Sequence, residues 1–141
     1  MSAPLADAHN LCFLAFDFGT QRVGVACGNS LLKRAQALCT IAATGEARWA
    51  AIAALIAQWQ PQALVVGVPF HPDGAAHENT WKARRFARQL HGRHHLPVHE
   101  VDERWTTTEA LSDGARDVDA AAAAIILDQF FRETARHHVD A

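Results

Sequence analysis

Several things missing from this 141-residue sequence limit what it can be. No apolar run reaches the ~18 residues of a membrane-spanning helix, and no charged N-terminal lead opens onto an apolar core. Membrane spanning and secretion are therefore not expected. The three cysteines, Cys12, Cys27 and Cys39, stand apart without C-x-x-C spacing, which argues against a zinc site and against a disulfide framework. A reducing cytoplasm is the expected compartment. An excess of one charge is also lacking: 13 Lys+Arg face 15 Asp+Glu, so the totals do not suggest a strongly basic nucleic-acid-binding domain. No Walker-type glycine loop is present, and Gly24 to Gly28 lacks the dinucleotide fingerprint.

What is present matches one domain. Half of the residues are hydrophobic, enough for a core without staples. Residues 1–10 read as a flexible, polar, Ala-rich lead-in, 11–133 as the folded domain and 134–141 as a polar tail.

The stretch Leu14-Ala15-Phe16-Asp17-Phe18-Gly19-Thr20 sets one carboxylate inside an apolar, strand-like run. An unpaired buried charge costs several kcal/mol, so Asp17 needs a metal, a cation or hydrogen-bond donors nearby. Capping or salt-bridging within a hairpin is the alternative. Gly19 permits a turn, and Val23 to Gly28 forms the second arm. A third, weakly alternating strand within Ala35 to Ile41 would complete an antiparallel meander.

From Ala47 the period changes. Ile52, Leu55, Ile56 and Trp59 fall on one helix face, and Pro61 ends that helix. Ala63 to Val68 is a continuous apolar run, as in a strand covered on both faces, and it implies a parallel crossover. Turn chemistry from Pro69 to Gly74 follows, at the end of a strand where α/β sheets often place ligands. Asn79 to Gly92 predicts a helix with Ala83, Phe86, Ala87 and Leu90 inward. Its other faces carry Lys82, Arg84, Arg85 and Arg88, and no acid occurs between Asn79 and Val98. That local basic face is either a solvated surface or a phosphate-binding one. His91, His94 and His95 are expected to be solvated, since no Cys or carboxylate completes a zinc set.

A strand from Val98 to Glu103 ends in two adjacent acids. Strand neighbours point to opposite sides, so only one of Asp102 and Glu103 should face a site built from Asp17, with Arg104 neutralising the other. Thr106 to Glu109 matches a capping box, which gives Glu109 a structural role. In the last helix, from about Val118 to Phe131, Asp119 shares a face with Ala122, Ala123 and Ile126. A capping role is its alternative, one that Asp117 could fill equally well.

Acids on the first strand, the last strand and the final helix thus converge. Converging carboxylates are stable together chiefly when they hold hard divalent cations, Mg²⁺ or Mn²⁺, and a two-ion site of that kind hydrolyses phosphodiesters. The basic helix would hold backbone phosphates, while Arg22 and Arg104 would orient phosphate or balance the acids. Trp59 belongs to an apolar stripe, whereas Trp81 and Trp105 near the cleft could stack bases if exposed.

Four landmarks in order carry a family resemblance: Phe16 to Thr20 with Arg22 to Ala26; Val65 to Pro69 with Asp73-Gly74; Val101 to Arg104 with Thr106-Thr107; and Val118 to Ala123. With these the chain resembles the YqgF/RuvX-like proteins of the ribonuclease H-like superfamily, described as pre-16S ribosomal RNA nucleases or Holliday junction resolvases. The resemblance implies an α/β, ribonuclease H-like fold with a mixed five-stranded sheet, an antiparallel meander plus parallel strands, flanked by helices. It carries the catalytic, metal-binding acids to Asp17, Glu103 and Asp119, with Asp102 as substitute if the strand register is off by one. It also implies a cytoplasmic, Mg²⁺- or Mn²⁺-dependent nuclease, a monomer or weak homodimer, acting on precursor ribosomal RNA, alone or in a ribosomal precursor particle. Branched DNA is the alternative substrate. One departure is that Ala110 to Val118 is short and carries Asp113 and Asp117 beside a single Arg116, where many relatives have a longer basic segment.

Two rivals come from other classes. The Asp-x-Gly-Thr hairpin also forms the phosphate-binding turn of actin-like kinases, but those close two such domains around a nucleotide and this chain has room for one. A ribosome-assembly factor that binds RNA without cutting it would suit the near-neutral charge, though not the retention of three acids.

Overall fold

The computed structural model describes residues 11–105 and 117–140. The lead-in 1–10, the capping-box stretch with Glu109, the side chain of Trp105 and the segment from Ala110 up to Asp117 lie outside the described residues.

Alternation in β1 (Cys12–Phe18) sends side chains to two different cores. Leu14 and Phe16 pack with Ile52, Phe86 and Leu90 on one face, and Phe13 and Ala15 pack with Ile126, Leu127, Phe130 and Phe131 on the other. Because both faces are covered, Leu14 to Phe16 can be wholly apolar. Each fully buried large side chain, Phe16, Leu14, Ile52 and Leu64 among them, contributes roughly 1.5–3 kcal/mol. Asp17, next in the alternation, falls on the second face.

β1 pairs antiparallel with β2 (Val23–Asn29), and β3 (Arg34–Ile41) continues the meander. Helix α1 (Gly45–Trp59) then leads to β4 (Ala63–Val68), which pairs parallel with β1. Helix α2 (Glu78–His94) leads to β5 (Val98–Asp102), parallel to β4, and α3 (Val118–Asp140) covers the opposite face from α1 and α2. The sheet order is β3-β2-β1-β4-β5, the mixed five-stranded arrangement the sequence predicts. No helix of the described residues is long and apolar enough to cross a membrane.

Three details of the elements bear on the sequence reading. The weak alternation in β3 has a cause: the register shifts beside Val25/Ala26, and both Leu38 and Cys39 then pack against the α1 face. Such a bulge breaks the period of two. β5 stops at Asp102, and Glu103 opens a 3-10 turn (Glu103–Trp105), so a bend in the chain rather than strand alternation separates the two acids. α3 runs on to Asp140 instead of ending near Phe131, so most of the expected polar tail is helical. No glycine or proline occurs after Gly114 to stop it.

Two strand glycines let other elements approach β1 closely. Gly24 lies opposite Asp17 in the hairpin, and a Cβ there would sit 1.8 Å from the Asp119 carbonyl oxygen. Continuing the β1–β4 register by one step sets Gly67 on the other side of Asp17, where a Cβ would meet Ile126 Cδ1 at 2.4 Å and the Glu103 carboxyl carbon at 3.1 Å. A strand glycine commonly marks such an approach. Gly24→Ala should therefore cost at least about 3 kcal/mol in urea denaturation, because backbone has to move. Gly92→Ala, in α2 with nothing within 4 Å of its added carbon, should gain roughly 0.5–1 kcal/mol. Equal effects of the two substitutions would remove the packing role assigned to Gly24.

Candidate active site

Asp17, Glu103 and Asp119 come to the same end of the sheet from three elements. Asp17 stands near the end of β1, Glu103 just past β5, and Asp119 in the first turn of α3 against Gly24. Asp117 caps α3: its carboxylate accepts from Ala120 N–H at 3.1 Å and from the Thr40 hydroxyl on β3. Asp117 thus fills the capping role that the sequence left open for either acid. Asp119 keeps its side chain for the cleft, in line with buried Ala122, Ala123 and Ile126.

The electrostatics separate these acids. Burial, and then the charge of Asp119, push the Asp17 carboxyl from its ordinary 3.8 up to about 6. Burial, and then Asp17 and Asp102, push Glu103 from 4.5 up to about 7. Asp102 goes the other way. Its burial opposes ionisation, but the side-chain and backbone hydrogen bonds and the charge of Arg104 outweigh that and hold it below its usual range. The Arg104 guanidinium meets Asp102 at 2.8 Å. Glu103 is therefore the acid that faces Asp17, and Asp102 is the one that Arg104 neutralises.

Arg22 lies 3.1 Å from the Asp119 carboxylate, balancing that acid as the structure stands. Among the described residues no donor or base pairs with Asp17. Nor, among them, does any group of three His, Cys, Asp or Glu side chains stand close enough together to hold one ion. The donor chemistry still fits a hard divalent cation: the acids are oxygen-only, Asp17 and Glu103 press charge against charge, and both resist ionising without a cation.

Of the predicted phosphate-binding residues, Lys82 pairs with Glu78 at 3.4 Å and Arg84 with Glu100 at 3.3 Å, acids flanking the acid-free stretch. Arg85 and Arg88 are exposed, with no carboxylate within 4 Å among the described residues. His94, expected to be solvated, is partly covered, and its Nε2 is buried without a partner.

Sequence reasoning missed Arg48. It is 6 % exposed, its Nε donates to the Ala43 carbonyl at 2.8 Å and its Nη2 to the Thr20 carbonyl at 3.2 Å, and it lies 5.6 Å from the Phe18 ring centroid. It braces the hairpin turn that follows Asp17 from behind. Nothing in helix periodicity marks an arginine for burial. Gly24 and Gly67 did carry a signal, as glycines inside otherwise apolar strands.

Both raised carboxyls bind protons more tightly folded than unfolded. Their cost to stability begins as the pH passes 3.8 and 4.5, where the unfolded chain ionises, and is complete above about 6 and about 7. At 1.36 kcal/mol per pKa unit, the Asp17 contribution is on the order of 3 kcal/mol. Asp17→Asn should stabilise the protein by roughly 1–3 kcal/mol at pH 8 without divalent ions, and by much less near pH 4. Urea melts at the two pH values measure this, and a gain independent of pH would contradict the raised proton affinity of Asp17.

Comparison with known proteins shows the family and the fold. The family model described as "RuvX: Holliday junction resolvase" matches residues 11–133. A protein of Albidiferax ferrireducens named "Putative pre-16S rRNA nuclease" is 67 % identical over 130 residues, covering 92 % of this chain and 83 % of that one. One of Burkholderia pseudomallei with the same name is 48 % identical over 145 residues, covering 98 % of each. Among solved structures, T. thermophilus RuvC in complex with a Holliday junction substrate superposes with a TM-score of 0.54 at 15 % identity, over 89 % of this chain and 96 % of that one. That likeness shows the fold, which is ribonuclease H-like.

Proposed function

This chain belongs to the RuvX family, and from that premise we propose that it is a divalent-metal-dependent nuclease that processes the precursor of 16S ribosomal RNA in the cytoplasm. The observation that carries the reading is the half-buried acids Asp17 and Glu103, each held well above its ordinary pKa by burial and then by a neighbouring carboxylate. Strong perturbation of that kind is costly in a purely structural pair and useful in a cation site. The names of the two relatives support ribosomal RNA as substrate, and the family description supports a branched DNA junction as the alternative.

Asp17, Glu103 and Asp119 would hold Mg²⁺ or Mn²⁺. Such an ion, when bound, activates a water and stabilises the leaving oxygen in phosphodiester hydrolysis. The remaining work falls to the chain's own cations. Arg22 is 63 % exposed at its side chain, so it can exchange Asp119 for a substrate phosphate at small cost, as exposed ion pairs are weak. Arg104 stays beside Glu103 through Asp102 and orients phosphate at the rim. Lys82, Arg84, Arg85 and Arg88 contact backbone phosphates further along, which positions the polymer without reading its sequence.

Asp17→Asn tests this reading. The variant should fold, lose Mn²⁺ binding by calorimetry, and cleave at least about a hundredfold more slowly, the scale on which one electrostatic group at a reacting centre acts. Precursor 16S ribosomal RNA and a four-way DNA junction, each incubated with wild type and variant in Mg²⁺, decide between the substrates. Unchanged Mg²⁺-dependent cleavage by the variant would remove Asp17 from the chemistry.

A further inference from the structure

Helix α2 presents one aromatic side chain to solvent. Trp81, in its first turn, is 60 % exposed, whereas Trp49 is stacked on Phe86 at 5.5 Å under Arg93 at 4.2 Å, and Trp59 is partly buried against the core. Buried Thr80, Ala83, Phe86, Ala87 and Leu90 fix the rotation of the helix. Trp81, Arg85 and Arg88, at i, i+4 and i+7, therefore share its outer face.

The charges on that helix are not equivalent. Lys82, Arg84 and Arg93 each have a carboxylate partner, in Glu78, Glu100 and Glu46. Arg85 and Arg88 have none within 4 Å among the described residues, so the positive charge left over on α2 lies in line with the exposed indole.

This face is also joined to the acidic cluster. The Thr80 hydroxyl donates to the Pro69 carbonyl and ties the first turn of α2 to the end of β4. Just beyond, Phe70 lies under two guanidiniums, Arg84 at 5.2 Å and Arg104 at 5.8 Å from its centroid. Arg104 directly follows Glu103. Phe70 thus links Arg104, next to Glu103, to Arg84 on α2, so a polyanion that follows these guanidiniums away from the acids would reach that helix. A tryptophan fits only a base that is out of a duplex, since paired bases offer no free face.

We propose that the Trp81–Arg85–Arg88 face binds an unpaired strand of the substrate as it leaves the acidic cluster, one base stacking on the indole and phosphates pairing with the two arginines. The inference rests on the nuclease reading for the identity of the substrate, but its test does not require cleavage. In the Asp17→Asn background without divalent ions, binding of a labelled RNA hairpin with single-stranded arms is compared with binding of the same hairpin made blunt. Trp81→Ala should weaken the armed RNA roughly tenfold to a hundredfold and leave the blunt one unchanged. Trp81→Phe should keep most of the affinity. Arg85→Gln and Arg88→Gln should each lower the slope of log affinity against log salt by about one. Equal losses on both RNAs, or none, would overturn the proposal; so would a change in sedimentation on Trp81→Ala with binding intact, which would give the face to a second copy of the chain. Selective loss of arm binding together with a wild type that cleaves nothing would uphold this inference while defeating the hydrolytic one.

Discussion

The structure is governed by two carboxylates placed where water cannot screen them well. Burial raises the proton affinity of both Asp17 and Glu103 in one low-polarity corner at the end of β1 and β4, and neighbouring acids add to it, Asp119 at Asp17 and Asp17 at Glu103. Such an arrangement costs folding free energy at neutral pH, so it persists only if the surrounding packing overrides it. Two hydrophobic clusters, one on each face of β1, supply that packing. The glycines flanking Asp17 are part of the same arrangement: Gly24 admits the first turn of α3, and Gly67 admits the Glu103 carboxyl. A side chain at either position would relieve the repulsion by pushing the elements apart.

The way nearby bases are arranged sharpens this picture. Arg22 takes Asp119 and Arg104 takes Asp102, both at the rim, and among the described residues no base pairs with Asp17. The one buried arginine near the hairpin, Arg48, spends its hydrogen bonds on the carbonyls of Thr20 and Ala43 on the far side of the sheet. Its role is to hold the turn, not to quench Asp17. Positive charge therefore stands at the rim of the acidic corner beside Asp119 and Asp102, where a site that recruits an external cation and a polyanion would need it.

Much of this was legible in the sequence, for identifiable reasons. Strand β4 announces itself through six consecutive apolar residues, and α2 through its inward set of Ala83, Phe86, Ala87 and Leu90, because burial on a regular element imposes a period. Asp17 stands out because a charge interrupts such a run. The break after Asp102 was not legible: a strand and a 3-10 turn differ by one residue's backbone, and it takes the contacts of Arg104 with Asp102 and of Glu103 with Gly67 to show which acid turns inward. Arg48 and the pairing of Lys82 and Arg84 were hidden for a related reason. Their partners, at Thr20, Glu78 and Glu100, are brought in by packing or lie just beyond the stretch whose lack of acids drew notice.

Near-neutrality of the whole chain then has a specific consequence. With a formal charge of −2 the protein has no net positive field to draw in a polyanion, and five of its described bases, Arg22, Lys82, Arg84, Arg93 and Arg104, are already matched to neighbouring acids. On the proposed reading, attraction for nucleic acid arises at short range, where a phosphate would compete with a carboxylate for Arg22 or Arg84, or meet Arg85 and Arg88, which have no carboxylate within 4 Å among the described residues. Exchange of that kind favours a polymer whose shape reaches several of these positions at once over one that is merely anionic. On that reading discrimination would fall to the surface between the acidic corner and α2, where Phe70 lies beneath Arg84 and Arg104.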